Sequence, residues 1–240
     1  MGMVKYSIIG LIIMLPFFIQ STIQNTQYKY KERQRAWIEQ SIEEASYDAS
    51  FALKTYSTYA YDSQQAYNIQ IPHREVIRNF FDSLKFRGFR FSLEDFPLIA
   101  FVEYDGIVLY NPQEDELSQK NFYTVRNANN CEYYTLSDEM MVFSYETGRY
   151  ERRRVSPEQR NSKVTQSIEL ALNTYQDKYH QEQNVGFLLP EFEGSSSELV
   201  FDDVGVIIFY DPKGYAYLDG LESYKIVPSG IMKMDLPIDL

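Results

Sequence analysis

The feature that most constrains this chain is an unbroken apolar run from Ile8 to Ile19, set within the segment YSIIGLIIMLPFFIQSTI from Tyr6 to Ile23. Those 18 residues, at about 1.5 Å of rise each, nearly match a hydrocarbon core of roughly 30 Å, so the segment is long enough for a borderline membrane span. Pro16 inside it is tolerated better in a membrane helix, usually with a bend, than in a buried soluble one. Residues 1–24 are therefore expected to form a transmembrane anchor built on Ile8, Ile9, Leu11, Ile12, Ile13, Leu15, Pro16, Phe17, Phe18 and Ile19. Two other readings fit the same run. A cleaved secretory signal would use Lys5 as its basic region and end after Ser21, although no A-x-A pattern marks a site. A buried core helix would also be apolar all round.

Orientation is pulled both ways. Lys29, Lys31, Arg33 and Arg35 follow the run and only Lys5 and the α-amine precede it. Counting positive charges alone puts the large C-terminal part in the cytoplasm. A short N-terminal tail suits a signal anchor that exports its C-terminus, and the acidic, Tyr-rich remainder resembles extracytoplasmic domains of Gram-positive bacteria. The expected location is the cell membrane, single-pass, with residues 25–240 outside the cytoplasm.

From Lys29 to about Tyr59 there is neither Gly nor Pro, and apolar positions fall at Ile38, Ile42, Ala45, Ala49, Ala52 and Tyr56. Their alternating intervals of four and three place them on one side of a helix. The spacing predicts an amphipathic stalk helix over 25–62 whose small-residue seam permits close backbone approach but buries little area by itself. The seam is expected either to pack against partner helices, including other copies of the chain, or to dock on the chain's own domain.

Residues 63–240 read as a soluble α+β domain, with an antiparallel sheet and packed helices. The polar, Tyr-rich stretch from Tyr56 to Gln70 reads as a connection into a second helix near Pro72, whose face is Val76, Ile77, Phe80, Phe81 and Leu84 and whose stop is Gly88. In FPLIAFVEYDGIVLYNP, strands Leu98–Glu103 and Ile107–Tyr110 flank an Asp-Gly turn, a strong hairpin signal. ELVFDDVGVIIFYDPKG repeats that pattern, so two similar hairpins are expected in one sheet. Further strands are expected at Tyr133–Leu136, Met140–Tyr145 and Tyr224–Val227. Ser156-Pro157-Glu158-Gln159 opens a third helix carrying Val164, Ile168, Ala171, Leu172, Tyr175 and Tyr179.

Composition narrows the chemistry. Of the 23 basic and 34 acidic residues, five basic and one acidic precede Ala36, leaving 18 against 33 and a net charge of -15 beyond it. Such a domain repels phosphate backbones, so nucleic acid is not an expected partner. A single cysteine, Cys131, excludes an intrachain disulfide framework and a multi-thiolate zinc site. His73 and His180 are the only histidines. They stand far from Cys131 in sequence, so a nucleophile–base pair would have to be assembled from distant segments. Asp202, Asp203, Asp211 and Asp219 could gather around a hard cation such as calcium, but their spacing matches no EF-hand loop and they read as turn residues. Arg149, Arg152, Arg153 and Arg154 form the one dense basic patch and read as a solvated loop, able to dock on anionic headgroups or an acidic partner. No Gly-rich phosphate loop is present. No enzyme site, metal or cofactor is expected.

The apolar run Ile8–Ile19 followed by the Glu- and Ala-rich IEQSIEEASYDASFALKTYS resembles membrane-anchored accessory proteins of Gram-positive pilus, secretion or conjugation systems, of the TadE-like or pseudopilin-like kind. The FPLIAFVEYDGIVLY and FDDVGVIIFYDPKGY blocks come after it in the same order. No Gly-Phe with a Glu five residues later marks a prepilin cleavage site, a departure from type IV pilins. The resemblance implies an exported, non-enzymatic structural or assembly role, with other subunits of an envelope assembly and the membrane as partners. A second, fainter resemblance, carried by DPKGYAYLDG, is to sensory domains of the PAS or Cache type and implies an extracytoplasmic ligand-binding domain.

Overall fold

A computed structural model describes residues 2–61, 67–183, 204–210 and 224–228, with side chains described for 14–57, 71–178 and 204–210. The chain is α+β, with a long N-terminal helix and antiparallel sheets.

Helix α1 (Gly2–Tyr56) has 55 residues and runs without a break through Pro16, a length of about 80 Å. The apolar run and the stalk are thus one helix. Residues 14–33 are exposed throughout, whereas Ile38, Ile42, Ala45, Ala49, Ala52 and Leu53 are buried in one large apolar cluster. Among the described residues no helix is long and apolar enough to cross a membrane. The side chains of Ile8, Ile9, Leu11, Ile12 and Ile13 lie outside the described residues.

Two short strands come next, β1 (Thr58–Tyr61) and β2 (Tyr67–Gln70), paired antiparallel where the sequence suggested only a connection. Helix α2 (His73–Phe86) then packs along α1. Its buried face is the predicted one, Val76, Ile77, Phe80, Phe81 and Leu84. It ends at Gly88, whose φ of +73° is left-handed. There Phe89 N–H donates to Leu84 O at 3.0 Å and Gly88 N–H to Lys85 O at 2.9 Å, the paired bonds that close a helix at a glycine.

The main sheet is antiparallel throughout, built from β3 (Leu98–Val102), β4 (Gly106–Asn111), β5 (Glu116–Leu117), β6 (Asn121–Phe122), β11 (Gly205–Phe209) and β12 (Tyr224–Pro228). Its order is β12-β11-β3-β4-β5, with β6 also paired to β4. The β3–β4 and β11–β12 pairs therefore share one sheet, joined by β3 against β11. Both β3 and β11 are buried at every position, which explains why they read as continuous apolar runs rather than alternating ones.

A second sheet, β7 (Thr124–Arg126), β8 (Asn130–Tyr134), β9 (Glu139–Ser144) and β10 (Arg149–Arg154), is an antiparallel meander in the order β10-β9-β8-β7. The arginine run is an edge strand, not a loop. Helix α3 (Pro157–Gln183) starts as expected, with Gln159 N–H donating to Ser156 Oγ at 3.3 Å. It buries Val164, Ile168 and Leu172 and meets β8.

Of the two positions expected for the α1 seam, the structure takes docking on the chain's own domain. Ile38, Ile42, Ala45, Ala49 and Ala52 are no more than 3% exposed, covered by this chain's own α2 and sheet, while Tyr56 is 53% exposed. Alanine and the buried Ser41, Ser46 and Ser50 let α2 approach closely enough to seal the seam, so the stripe packs intramolecularly rather than on a partner helix. The division at 62/63 is likewise no boundary in packing, because residues on both sides of it occupy one core.

Candidate functional site

The tight turn between β3 and β4, Glu103-Tyr104-Asp105-Gly106, gathers polar contacts from α2, β6 and the second sheet. Glu103 N–H donates to Gly106 O at 2.8 Å. Gly106 has no left-handed φ. Its lack of a side chain matters for space, since a Cβ there would lie 2.6 Å from Asn121 O and 2.9 Å from Lys120 Cγ. The glycine lets β6 close over the turn and brings Lys120 with it.

The Glu103 side chain is only 5% exposed. One carboxylate oxygen lies 2.6 Å from His73 Nε2 in the first turn of α2, and the other lies 2.6 Å from Lys120 Nζ. Lys120 also reaches Asp105 at 2.8 Å. Burial pushes the Glu103 carboxyl up, but the hydrogen bonds and charges of His73 and Lys120 outweigh it and hold the group below the usual carboxylate range. Burial likewise works against the Lys120 ammonium, and its bonds to Asp105 and Glu103 outweigh that, so its pKa is raised. Tyr123, fully buried, donates its hydroxyl to Glu103 O at 3.1 Å, and burial pushes its phenol up. Backbone bonds from Tyr134 N–H to Tyr123 O and from Leu136 N–H to Tyr104 O tie the second sheet to the same turn. This cluster joins α2, both sheets and β6. Its ionic partners satisfy one another, which is the arrangement of a structural joint rather than of a poised acid or base.

Beside it opens a cleft of about 740 Å³ between the β4–β7 edge and α3. Lys120, Phe122, Arg126, Tyr133, Leu170 and Tyr175 are among its walls. Phe122 and Leu170 are 53% and 68% exposed, so the cleft presents apolar surface as well as charge.

The other residues singled out in the sequence are dispersed. Cys131 is buried and free, and Tyr133 has its phenol raised to about 12, first by a hydrogen bond with that thiol and then by burial. His73 serves Glu103 and stacks edge-on against Phe101, with centroids 4.7 Å apart. His180 belongs to α3, with its side chain outside the described residues, as are Asp202, Asp203, Asp211 and Asp219. Among the described residues no group of three or more His, Cys, Asp or Glu is placed to hold a metal ion. The Glu103–Lys120 pair joins segments that no sequence pattern links. Its only sequence signal is the glycine at 106, which does not reveal which segment closes on it.

The fold and site thus define an α+β protein in which a long N-terminal helix shares its core with two antiparallel sheets. No protein-family model, curated protein or solved structure matches the chain.

Proposed function

We propose that this chain is a single-pass, membrane-anchored, non-enzymatic structural or assembly component of a bacterial cell-envelope apparatus of the pilus-like, secretion or conjugation type, with residues 25–240 outside the cytoplasm. The observation that supports it is the division of α1 between two environments. Its second half is sealed into the domain. Its first half carries Met14, Leu15, Phe17, Phe18, Ile19 and Ile23, all at least 51% exposed. Successive helical residues differ by about 100°, so these side chains point to every side. Fully burying each contributes about 1.5–3 kcal/mol, or about 9–18 kcal/mol together. A hydrocarbon surrounding covers all faces at once, which no single protein groove does. In the sequence the apolar run continues toward the N-terminus through Ile8–Ile13.

With the alanine seam occupied by the chain's own core, contacts to other subunits fall to the projecting part of α1 between anchor and domain, where Tyr28 and Tyr30 are 64% and 62% exposed. A photo-crosslinking residue at Tyr28 or Tyr30 is expected to capture another envelope protein or a second copy of the chain. Adducts to lipid alone at both positions contradict an assembly role. Topology is tested with Ser162→Cys in a Cys131→Ser background. An impermeant thiol reagent should label intact cells, and labelling only after lysis would place the domain inside.

The 740 Å³ cleft supports a second reading, an extracytoplasmic ligand-binding or sensory-type domain, since pockets of this size hold small molecules. A small molecule copurifying with the chain and lost in Leu170→Trp favours it. Unbound protein with an unchanged melting curve across a metabolite panel counts against it.

A further inference from the structure

Strand β10 ends the second sheet, and all six of its residues are exposed. Its backbone directions follow from one bond, Val155 N–H to Asp138 O at 2.9 Å, because in an antiparallel pair alternate residues turn both N–H and C=O to the same side. Arg153, Glu151 and Arg149 therefore face β9. Tyr150, Arg152 and Arg154 turn three donors and three acceptors to the open edge, where no strand pairs among the described residues.

The side chains of those same three residues share a sheet face with their partners across the ladder, Phe143, Met141 and Glu139. Tyr150 packs on Phe143 at 4.8 Å and on Tyr133 at 6.1 Å between centroids. The edge thus offers an aromatic platform at one end and two guanidinium groups beyond it. Arg152 pairs with Glu139 at 3.4 Å and Arg153 with Glu151 at 2.8 Å. Both are exposed pairs that water screens and an incoming carboxylate replaces at little cost.

The charge pattern selects the occupant. Four arginines against one glutamate in β10 repel a second copy of the strand. A broad anionic lipid surface would also meet the net charge of -15 carried beyond Ala36, whereas a single extended segment meets the local arginines within a Debye length of about 8–10 Å. We propose that the open edge of β10 takes up one extended acidic segment of a partner protein as an added strand, with carboxylates beside Arg152 and Arg154 and an apolar residue over Tyr150. The proposal rests on the second sheet alone and is independent of the membrane anchor.

The test uses the full-length chain in neutral detergent and a fluorescein-labelled peptide of alternating Glu and Val, read by anisotropy and by hydrogen exchange at the Tyr150, Arg152 and Arg154 amides. Binding that protects those three amides is expected. Affinity should fall about tenfold or more in the double variant Arg152→Glu, Arg154→Glu, as for a lost charge-paired contact. Arg152→Ala and Arg152→Pro separate charge from backbone. Both lose the guanidinium, but only proline loses the outward N–H, a change an edge strand tolerates. Proline should therefore bind several-fold more weakly than alanine while circular dichroism shows both folded. The proposal is overturned if the peptide does not bind, if the double variant binds as tightly as the parent, or if alanine and proline bind alike. Protection of β10 by micelles doped with anionic lipid, but not by the peptide, overturns it in favour of a lipid surface.

Discussion

The Trp37 indole packs on the Phe89 ring with centroids 5.5 Å apart and planes tilted by 38°, where α1 emerges from the domain. Phe89 lies directly after the glycine that ends α2, and it continues through Phe91 into a ring cluster with Phe80, Phe81 and Phe96. This aromatic contact, together with the Arg87 ion pairs to Glu44 and Asp48, holds the projecting helix against the end of the helix that covers it. Trp37→Ala should destabilise the domain by about 1–2 kcal/mol, less than a fully buried aromatic because Trp37 is 45% exposed. Urea unfolding monitored by far-ultraviolet circular dichroism measures it.

The seam of α1 makes a sharper prediction. Ala45 and Ala49 are 0% and 1% exposed, so a larger side chain there is forced against close-packed buried neighbours. Ala49→Leu should cost about 1–3 kcal/mol by overpacking, and Ala45→Glu more, because it buries an unpaired charge. Both losses should appear in the isolated chain. Seam variants that leave its stability unchanged would return these residues to partner packing.

Gly106 and the Asp-Gly signal show what the sequence discloses and what it conceals. A hairpin between Leu98 and Tyr110 was legible because two apolar runs flank a turn pair, and the helix stop at Gly88 was legible because a glycine comes after the last periodic residue. The reason for Gly106 was not. It lies in Asn121 O, a backbone atom brought close by β6, and such tertiary approaches leave no local pattern. Strand β10 was hidden for a related reason, since RYERRR lacks the apolar alternation of a half-buried strand and pairs only along one edge. The Ala-lined stripe was visible as a helical face, but intervals of four and three do not say whose surface covers it. Gly106→Ala should therefore cost about 1–3 kcal/mol, as an overpacked contact, and should loosen Lys120, detected as faster hydrogen exchange at Asn121 and Phe122.

Stability should depend on pH through Glu103 and Lys120. Glu103 has a lowered folded pKa, so its contribution is present above the unfolded value of about 4.3 and is lost as pH falls through the folded value. Lys120 has a raised folded pKa, so its contribution is complete below about 10.4 and is lost as pH rises through the folded value. Glu103→Gln should flatten the acid limb of the stability profile and lower the plateau near neutrality, because among the described residues Lys120 then keeps only Asp105 as an anionic partner. An acid limb unchanged by Glu103→Gln would show that other carboxylates set it.

The division of α1 into a sealed half and a projecting apolar half is tested most directly by alkaline-carbonate extraction of membranes from cells producing the full chain or a version lacking residues 1–24. The expected result is full-length chain retained in the membrane pellet and the shortened chain in the supernatant. Full-length chain released by carbonate would contradict a helix that holds this protein in the bilayer.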